Sequence, residues 1–301
     1  MTEKNYGETF RKIRKSKGFT VKEVTDGIVS PQFLNKFEKG DSKITVDNLT
    51  LLLNRIFMSW KEFMQIHDGN TLDQLEKFSN VANQLIYSKK YYELDQLAKQ
   101  FEKAYESDGF AKDLHLSLII KAGFYYNINK TISDQDIKSI RKHLQQIDNW
   151  YEYENFIFGS FIHFLPAEDV MLYYKRVARN FERQRKEHID DRPETVQLIT
   201  FIVSFFVDRR RLDLAQEVIN ESREYMEVDD DPTDLFYRVI YKSKVALIKI
   251  LQGNVAEGKA ECEGYIQALK LIGNYPTTIN SLFIDLNKAL SEVNNSQNGT
   301  K

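Results

Sequence analysis

Amphipathic helices recur in pairs along most of this chain of 301 residues. Beyond residue 70, turn-forming residues such as Gly109 and Gly253 interrupt long helical stretches, and no segment shows the alternation typical of a strand. The first helices of the pairs are predicted to begin about 40 residues apart, near Thr71, Phe110, Asn149, Arg192 and Pro232. The second helices are predicted to begin near Tyr91, Ser133, Pro166, Arg211 and Asn254. Since one pair cannot bury its apolar face alone, the pairs must stack into a continuous core.

This period decides the predicted fold class. It is somewhat longer than the tetratricopeptide (TPR) length of about 34 residues, and it predicts an all-α protein with a right-handed α-solenoid of about five TPR-like helix pairs. We expect this solenoid to cover residues 71–293, after a linker at 67–70, and to bind a ligand on a concave surface and to dimerise. A C-terminal helix from Thr277 to about Glu292 would close the stack, and residues 294–301 are expected to be frayed.

A short helix with a marked start and a marked stop is predicted between Ser30 and Gly40. Ser30 can cap the first turn, proline is tolerated directly after it, and Gly40 can end the helix in a left-handed conformation. Leu34 and Phe37 lie three residues apart and share the buried face. The polar residues left for solvent or a ligand are Gln32, Asn35, Lys36 and Lys39.

Further short helices are predicted on both sides of this one. Thr20 with Glu23, and Ser59 with Glu62, have the spacing of capping boxes that open two of them. A tight turn at Gly27 separates the second helix from the third, which is the arrangement of a helix-turn-helix. We therefore expect a DNA-binding domain of this type at residues 1–66.

The charge of the chain divides in the same way. Residues 1–65 hold 12 Lys and Arg against 8 Asp and Glu, whereas the rest of the chain holds 30 against 36. A basic module joined to an acidic body is typical of a nucleic-acid reader.

The expected partner of the basic module is double-stranded DNA. Gln32 and Lys36 would lie nearest the base edges in the major groove, because Gln can bind adenine and Lys can reach the acceptors of guanine. Phosphate contacts are expected from Arg11, Lys22, Lys39 and Lys43, and Ser30 and Asn35 complete the expected DNA-binding set. One such module is too small for tight and selective binding, so we expect a homodimer on two half-sites about one helical turn apart.

The first 65 residues resemble the phage-repressor type of helix-turn-helix, the XRE-like family. The residues that carry this resemblance are Arg14, Thr20, Val24, Gly27, Ser30, Phe37, Glu38 and Gly40. In that family the matching Arg and Glu pair beneath the recognition helix. The resemblance therefore implies a structural ion pair between Arg14 and Glu38.

The whole chain resembles the Rgg/MutR/GadR regulators of Gram-positive bacteria. Three stretches carry this closer resemblance, namely Phe37 to Gly40, Trp150 to Leu165 and Tyr237 to Lys259. It implies a sequence-specific transcriptional regulator controlled by a short hydrophobic signalling peptide, as in quorum sensing. The chain departs from the family pattern at Ser160, where an Asn is common after the glycine.

A peptide site is expected on the concave side, which the first helices of such solenoids line. An extended hydrophobic peptide needs apolar pockets and a few donors for its backbone and carboxylate, and Ser160, Arg238 and Asn280 could supply those donors. The expected peptide-binding residues are Tyr153, Phe156, Ser160, Phe205, Phe236, Arg238 and Asn280.

The sequence offers no enzyme motif, and we expect neither catalysis nor a cofactor. The histidines at 67, 115, 143, 163 and 188 have no metal-ligand spacing, although His143 and His163 could titrate near physiological pH. Cys262 is the single cysteine, and the longest apolar run, Leu198 to Val207, is too short to span a bilayer. Both features predict a cytoplasmic protein that is not bound to a membrane.

Two other functions fit the same pattern. The first is a DNA-binding repressor that needs no ligand or whose groove binds another protein. The second is an interaction scaffold or phosphatase-like repeat protein of the Rap type, although the preserved caps and the basic face argue against a vestigial helix-turn-helix.

Overall fold

The computed structural model describes residues 5–67, 74–186, 192–224, 226, 234–273 and 275–298. These residues form two compact units, Met1–Lys89 and Lys90–Lys301. All regular structure within the described ranges is helical, which confirms the predicted all-α class.

The first unit holds six helices within its described residues. They are α1 (Tyr6–Ser16), α2 (Val21–Thr25), α3 (Pro31–Lys39), α4 (Val46–Arg55), α5 (Trp60–His67) and α6 (Gln74–Tyr87). The side chains of Phe10, Leu34, Leu52 and Phe63 are fully buried in one apolar core, to which each of α1, α3, α4 and α5 contributes. Helices α1 to α5 therefore pack against a core of their own.

The predicted caps are present. The Ser30 hydroxyl accepts a hydrogen bond from the backbone N–H of Phe33 at 3.1 Å, and Gly40 ends α3 with φ of 87°. The Thr20 hydroxyl accepts from the N–H of Glu23, and the Glu23 carboxylate accepts from the N–H of Thr20 at 2.7 Å. These contacts satisfy helix-end groups locally, so they fix where α2 and α3 begin.

A close crossing between α1 and α3 depends on Gly7. A Cβ at this position would lie 1.7 Å from the carbonyl oxygen of Phe37. Only glycine therefore lets the first turn of α1 approach the end of α3 this closely. No local sequence pattern marks Gly7 for this role.

The second unit holds ten α-helices within its described residues, besides two short 3-10 helices at Tyr126–Ile128 and Ile162–Phe164. They are α7 (Tyr91–Asp108), α8 (Ala111–Tyr125), α9 (Asp134–Gln146), α10 (Glu152–Phe161), α11 (Ala167–Lys186), α12 (Arg192–Asp208), α13 (Leu212–Arg223), α14 (Leu235–Leu251), α15 (Val255–Ile272) and α16 (Pro276–Asn298). Helices α8, α10, α12, α14 and α16 pack side by side in that order, and we call them the first-helix row. This row confirms the predicted stacking for the pairs that begin with α8, α10, α12 and α14, and α16 follows them as the closing helix.

The segment around Trp150 fastens the end of α9. The indole N–H of Trp150 donates to the carbonyl of Leu144 at 3.3 Å, and Arg176 donates to the same carbonyl at 2.6 Å and to that of Ile147 at 3.0 Å. Asn180 donates to the carbonyl of Trp150 at 2.5 Å. Because a helix leaves its last carbonyls without partners, these donors hold α9 and α11 together.

Helix starts follow the sequence prediction closely, whereas two boundaries differ. Each second helix begins within one residue of its predicted position. The expected frayed tail from residue 294 is wrong at its start, because α16 continues to Asn298. Helix α6, expected to open the solenoid, belongs to the first compact unit. The expected linker residues 68–70, the starts at Thr71 and Pro232, His188 and residues 299–301 lie outside the described residues.

Candidate nucleic-acid interface and ligand site

Helix α3 is fixed to α1 by a buried ion pair. Arg14 donates from Nε to Glu38 Oε1 at 2.6 Å and from Nη2 to Oε2 at 2.8 Å, while its Nη1 donates to the carbonyl of Phe19 at 2.7 Å. Arg14 is 5% exposed and Glu38 is 3% exposed. The predicted structural pair is thereby confirmed, and both charges are occupied inside the protein rather than offered to DNA.

The outer face of α3 is polar and open. Leu34, Phe37 and Glu38 are buried, so the helix turns its other side outward. Each of the residues expected to contact DNA, on and around α3, is exposed, namely Arg11, Lys22, Ser30, Gln32, Asn35, Lys36, Lys39 and Lys43. Gln32 and Lys36 are separated by one helical turn, so both project from the middle of this face.

A basic cleft of about 330 Å³ lies between α1, α2 and α3. Its lining residues are Arg11, Arg14, Lys15, Val21, Asn35, Glu38 and Lys39. Arg11 Nε is 3.9 Å from Glu38 Oε2, and the Arg11 side chain is still 48% exposed. The cleft places Lys15 beside Arg11 and Lys39, so Lys15 joins the candidate phosphate contacts. Its position in a run of basic residues in α1 was the sequence signal for it.

Three of the expected peptide-binding residues lie together on α10. Tyr153, Phe156 and Ser160 are half-buried. The hydroxyl of Ser160 donates to the carbonyl of Phe156 at 2.8 Å, so its proton is already used within the helix. The oxygen of Ser160 remains able to accept a hydrogen bond from a ligand.

Tyr153 belongs to a polar cluster inside the second unit. Its hydroxyl lies 2.9 Å from Nδ1 of His115, and the rings of His115 and His143 are 4.6 Å apart. Nε2 of His143 lies 3.7 Å from Glu154. Burial lowers the pKa of His115 to about 4, with a smaller contribution from His143, and burial raises the pKa of Tyr153 to about 12. Both groups are therefore neutral at physiological pH.

Two of the residues expected to contact the peptide are already engaged within the protein. Phe205 is fully buried, so it is a core residue rather than part of an open surface. Arg238 donates from Nε to Asp234 Oδ1 at 2.5 Å and from Nη2 to Oδ2 at 3.3 Å, and Asp234 is fully buried. The expectation that Arg238 is available to a peptide carboxylate is wrong for this structure. Phe236 is 38% exposed and Asn280 is exposed.

Neither a membrane nor a metal is indicated by the described part of the chain. No helix there has a stretch both long and apolar enough to cross a bilayer. The described side chains also contain no group of three or more His, Cys, Asp or Glu residues that could hold a metal ion.

Comparison with known proteins gives two family matches and several structural ones. Residues 95–280 match the model described as "HTH-type transcriptional regulator Rgg, C-terminal domain", and residues 10–63 match a helix-turn-helix model. Similar solved structures include a candidate transcriptional regulator from Listeria monocytogenes EGD-e, with 24% identity, a TM-score of 0.83 and coverage of 97% of this chain and 99% of that one.

Two further solved structures are also similar. The SHP pheromone receptor Rgg2 of Streptococcus dysgalactiae has 18% identity, a TM-score of 0.75 and coverage of 94% of this chain and 99% of that one. The PrgX/iCF10 complex has 14% identity, a TM-score of 0.72 and coverage of 96% and 97%. At these identities the structural likeness establishes the shared fold of this chain and those proteins.

Proposed function

The chain belongs to the family of HTH-type transcriptional regulators Rgg, and we propose that it binds DNA sequence-specifically under the control of a short hydrophobic signalling peptide. The observation that supports DNA binding is the way in which α3 is held against α1. The buried pair between Arg14 and Glu38 holds the helix, while Gln32 and Lys36 project from its open face. A fixed helix with a polar outer face is what reading of the major groove requires.

Contacts to the DNA divide into two kinds. Gln32 and Lys36 read base edges, with Asn35 beside them. Arg11, Lys15, Lys22, Lys39 and Lys43 contact phosphates and set the register, and Ser30 lies at the helix start that approaches the backbone. A single module of this size binds weakly, so the active protein is a homodimer on two half-sites.

The proposed binding of a peptide rests on features of the second unit. The relatives of similar fold include a pheromone receptor and a protein solved as a complex with iCF10. Here α10 presents Tyr153, Phe156 and Ser160 half-buried, and Phe236 and Asn280 are open on other members of the first-helix row. Apolar side chains with a few polar groups suit a hydrophobic peptide. Peptide binding then changes DNA binding only if the ligand favours one arrangement of the dimer over another. We place the protein in the cytoplasm, where its DNA lies.

The DNA half is tested by a double change in α3. Gln32→Ala with Lys36→Ala is expected to abolish specific binding to the promoter beside the gene, because it removes both base-reading side chains, and to leave circular dichroism unchanged. The measurement is a mobility shift against unlabelled competitor DNA. The matched control is Lys61→Ala with Gln65→Ala, which changes the same residue types at the same spacing on α5. Selective binding by the α3 variant would contradict the assignment of α3.

A further inference from the structure

Three consecutive arginines follow α12, and two of them are paired with carboxylates. Arg210 forms a two-point contact with Glu292, including Nε to Oε2 at 2.7 Å. Arg211 donates to Asp213 at 3.0 and 2.9 Å and lies 3.5 Å from Glu168. Arg209 has no carboxylate partner among the residues that the structure describes, and it is exposed.

The guanidinium of Arg209 is nevertheless held in place. Its Nη2 donates to the backbone carbonyl of His163 at 2.8 Å, and its central carbon lies 4.9 Å from the centre of the Phe205 ring. The hydrogen bond and the ring contact together fix the orientation of the planar guanidinium. Most of its five N–H donors remain for a second molecule, and their geometry matches a carboxylate.

The rings of Tyr126, His163 and Phe205 lie in a row beside this guanidinium. The Tyr126 ring stacks on His163 with centroids 4.2 Å apart and planes 22° apart, and His163 lies 6.3 Å from Phe205. Tyr126 is 52% exposed, so one side of the stack is open. Burial lowers the pKa of His163; Asp208 opposes this shift, while Arg209 and Lys244 add to it. An uncharged imidazole suits contact with an apolar group.

These groups come from neighbouring members of the first-helix row. Tyr126 follows α8, His163 follows α10 and Arg209 follows α12, and these three helices pack in that order. Lys244 on α14 donates from Nζ to Asp285 Oδ2 on α16 at 2.6 Å, so its charge is neutralised within the protein. Within the described part of this unit, Lys244 is neutralised by Asp285, whereas Arg209 is oriented by protein groups and has no carboxylate partner.

From this geometry we infer that Arg209 binds the C-terminal carboxylate of the peptide, and that Tyr126 and His163 contact its last apolar side chain. This inference rests on the proposed peptide function and names the end of the peptide that is recognised. It also replaces Arg238, whose guanidinium is occupied by Asp234. Asp208 is the alternative charged group, which would select a peptide amine. Asp208 is exposed without a hydrogen bond to orient it among the described residues, so the fixed guanidinium is favoured.

The test uses the full-length protein and a panel of synthetic hydrophobic octapeptides in three forms: both ends free, C-terminally amidated, and N-terminally acetylated. Affinity is measured by competition against a fluorescent member of the panel. Amidation is expected to weaken binding to the wild type by about 10- to 100-fold, which is the usual worth of a charge-assisted contact. Acetylation is expected to have little effect.

Variants locate the effect at one side chain. Arg209→Met should bind the free acid about as weakly as the wild type binds the amide, and amidation should cost this variant nothing more. Arg211→Met is the matched control, since it removes the charge of a neighbouring, half-buried arginine, and it should keep the full sensitivity to amidation. Equal thermal unfolding midpoints of the two variants would show that Arg209 acts on the ligand rather than on the fold.

Three outcomes would overturn the inference. Equal affinity of the wild type for acid and amide would overturn it and leave peptide control intact. Sensitivity to acetylation alone would overturn it in favour of an amine bound at Asp208. Failure of every peptide in the panel to bind the wild type would overturn both this inference and the proposed peptide function.

Discussion

His115 shows how one buried residue ties the stability of the second unit to pH. It is 3% exposed, it contacts the Tyr153 hydroxyl, and its pKa is about 4 instead of the ordinary 6.5. The folded protein therefore stays unprotonated at His115 where the unfolded chain takes up a proton. The contribution of His115 to the free energy of unfolding is fully present above pH 6.5 and is lost as the pH falls from 6.5 towards 4.

The size of this loss in the free energy of unfolding follows from how far the pKa of His115 is lowered. It reaches at most about 3 kcal/mol, since each pKa unit is worth about 1.4 kcal/mol. Urea unfolding of the wild type between pH 7 and pH 4.5 should show this decline, and His115→Asn should show less of it because no imidazole remains to be protonated. Equal pH dependence of the two proteins would mean that another group is responsible.

Other residues show what the sequence could and could not reveal. The pair between Arg14 and Glu38 was predicted because a family resemblance marked both residues. The pair between Asp234 and Arg238 was missed, although a spacing of four residues on one helix was a visible signal for it. Gly7 had no such signal, because its need arises from the carbonyl of Phe37, thirty residues away along the chain.

At the scale of the element, α3 depends on the buried charge pair between Arg14 and Glu38. Glu38→Gln keeps the shape of the side chain but leaves the buried Arg14 without its counter-ion. Removing one partner of a buried pair costs about 3 to 5 kcal/mol. The variant is therefore expected to unfold at lower urea concentration and to bind DNA poorly.

Comparing Glu38→Gln with the α3 surface variant separates an effect on folding stability from an effect on base recognition. Gln32→Ala with Lys36→Ala should lose DNA binding at unchanged stability, whereas Glu38→Gln should lose both. Urea unfolding and the mobility shift, run on both proteins, distinguish the two. A Glu38→Gln protein as stable as the wild type would contradict the structural role of the pair.

Helix ends were predictable where a polar cap or a turn residue marks them. Second helices begin beside residues such as Ser133, Arg211 and Asn254, as expected. The face that each helix turns inward was less predictable, because α12 is apolar nearly all round. Phe205 was therefore placed on an open surface although it is fully buried. Packing against neighbouring helices decides such a position, and a single sequence does not display those neighbours.

At the scale of the whole molecule, the first unit is expected to fold without the rest of the chain. Its helices α1 to α5 share an apolar core that includes Phe10, Leu34, Leu52 and Phe63. A domain with its own core can fold alone. A fragment of residues 1–89 should therefore give a helical circular dichroism spectrum and a cooperative thermal transition. A disordered fragment would contradict this.

The same fragment tests the role assigned to dimerisation. A monomeric module makes few base contacts, so the fragment is expected to bind the promoter weakly and to lose binding steeply with added salt. Fusing it to an unrelated dimeric coiled coil through a flexible linker raises the effective concentration of the second module, and selective binding should recover by about 100-fold or more. A monomeric fragment that binds as tightly and selectively as the full chain would exclude the need for a dimer, and would leave the peptide-binding unit to act by some means other than placing two modules on DNA.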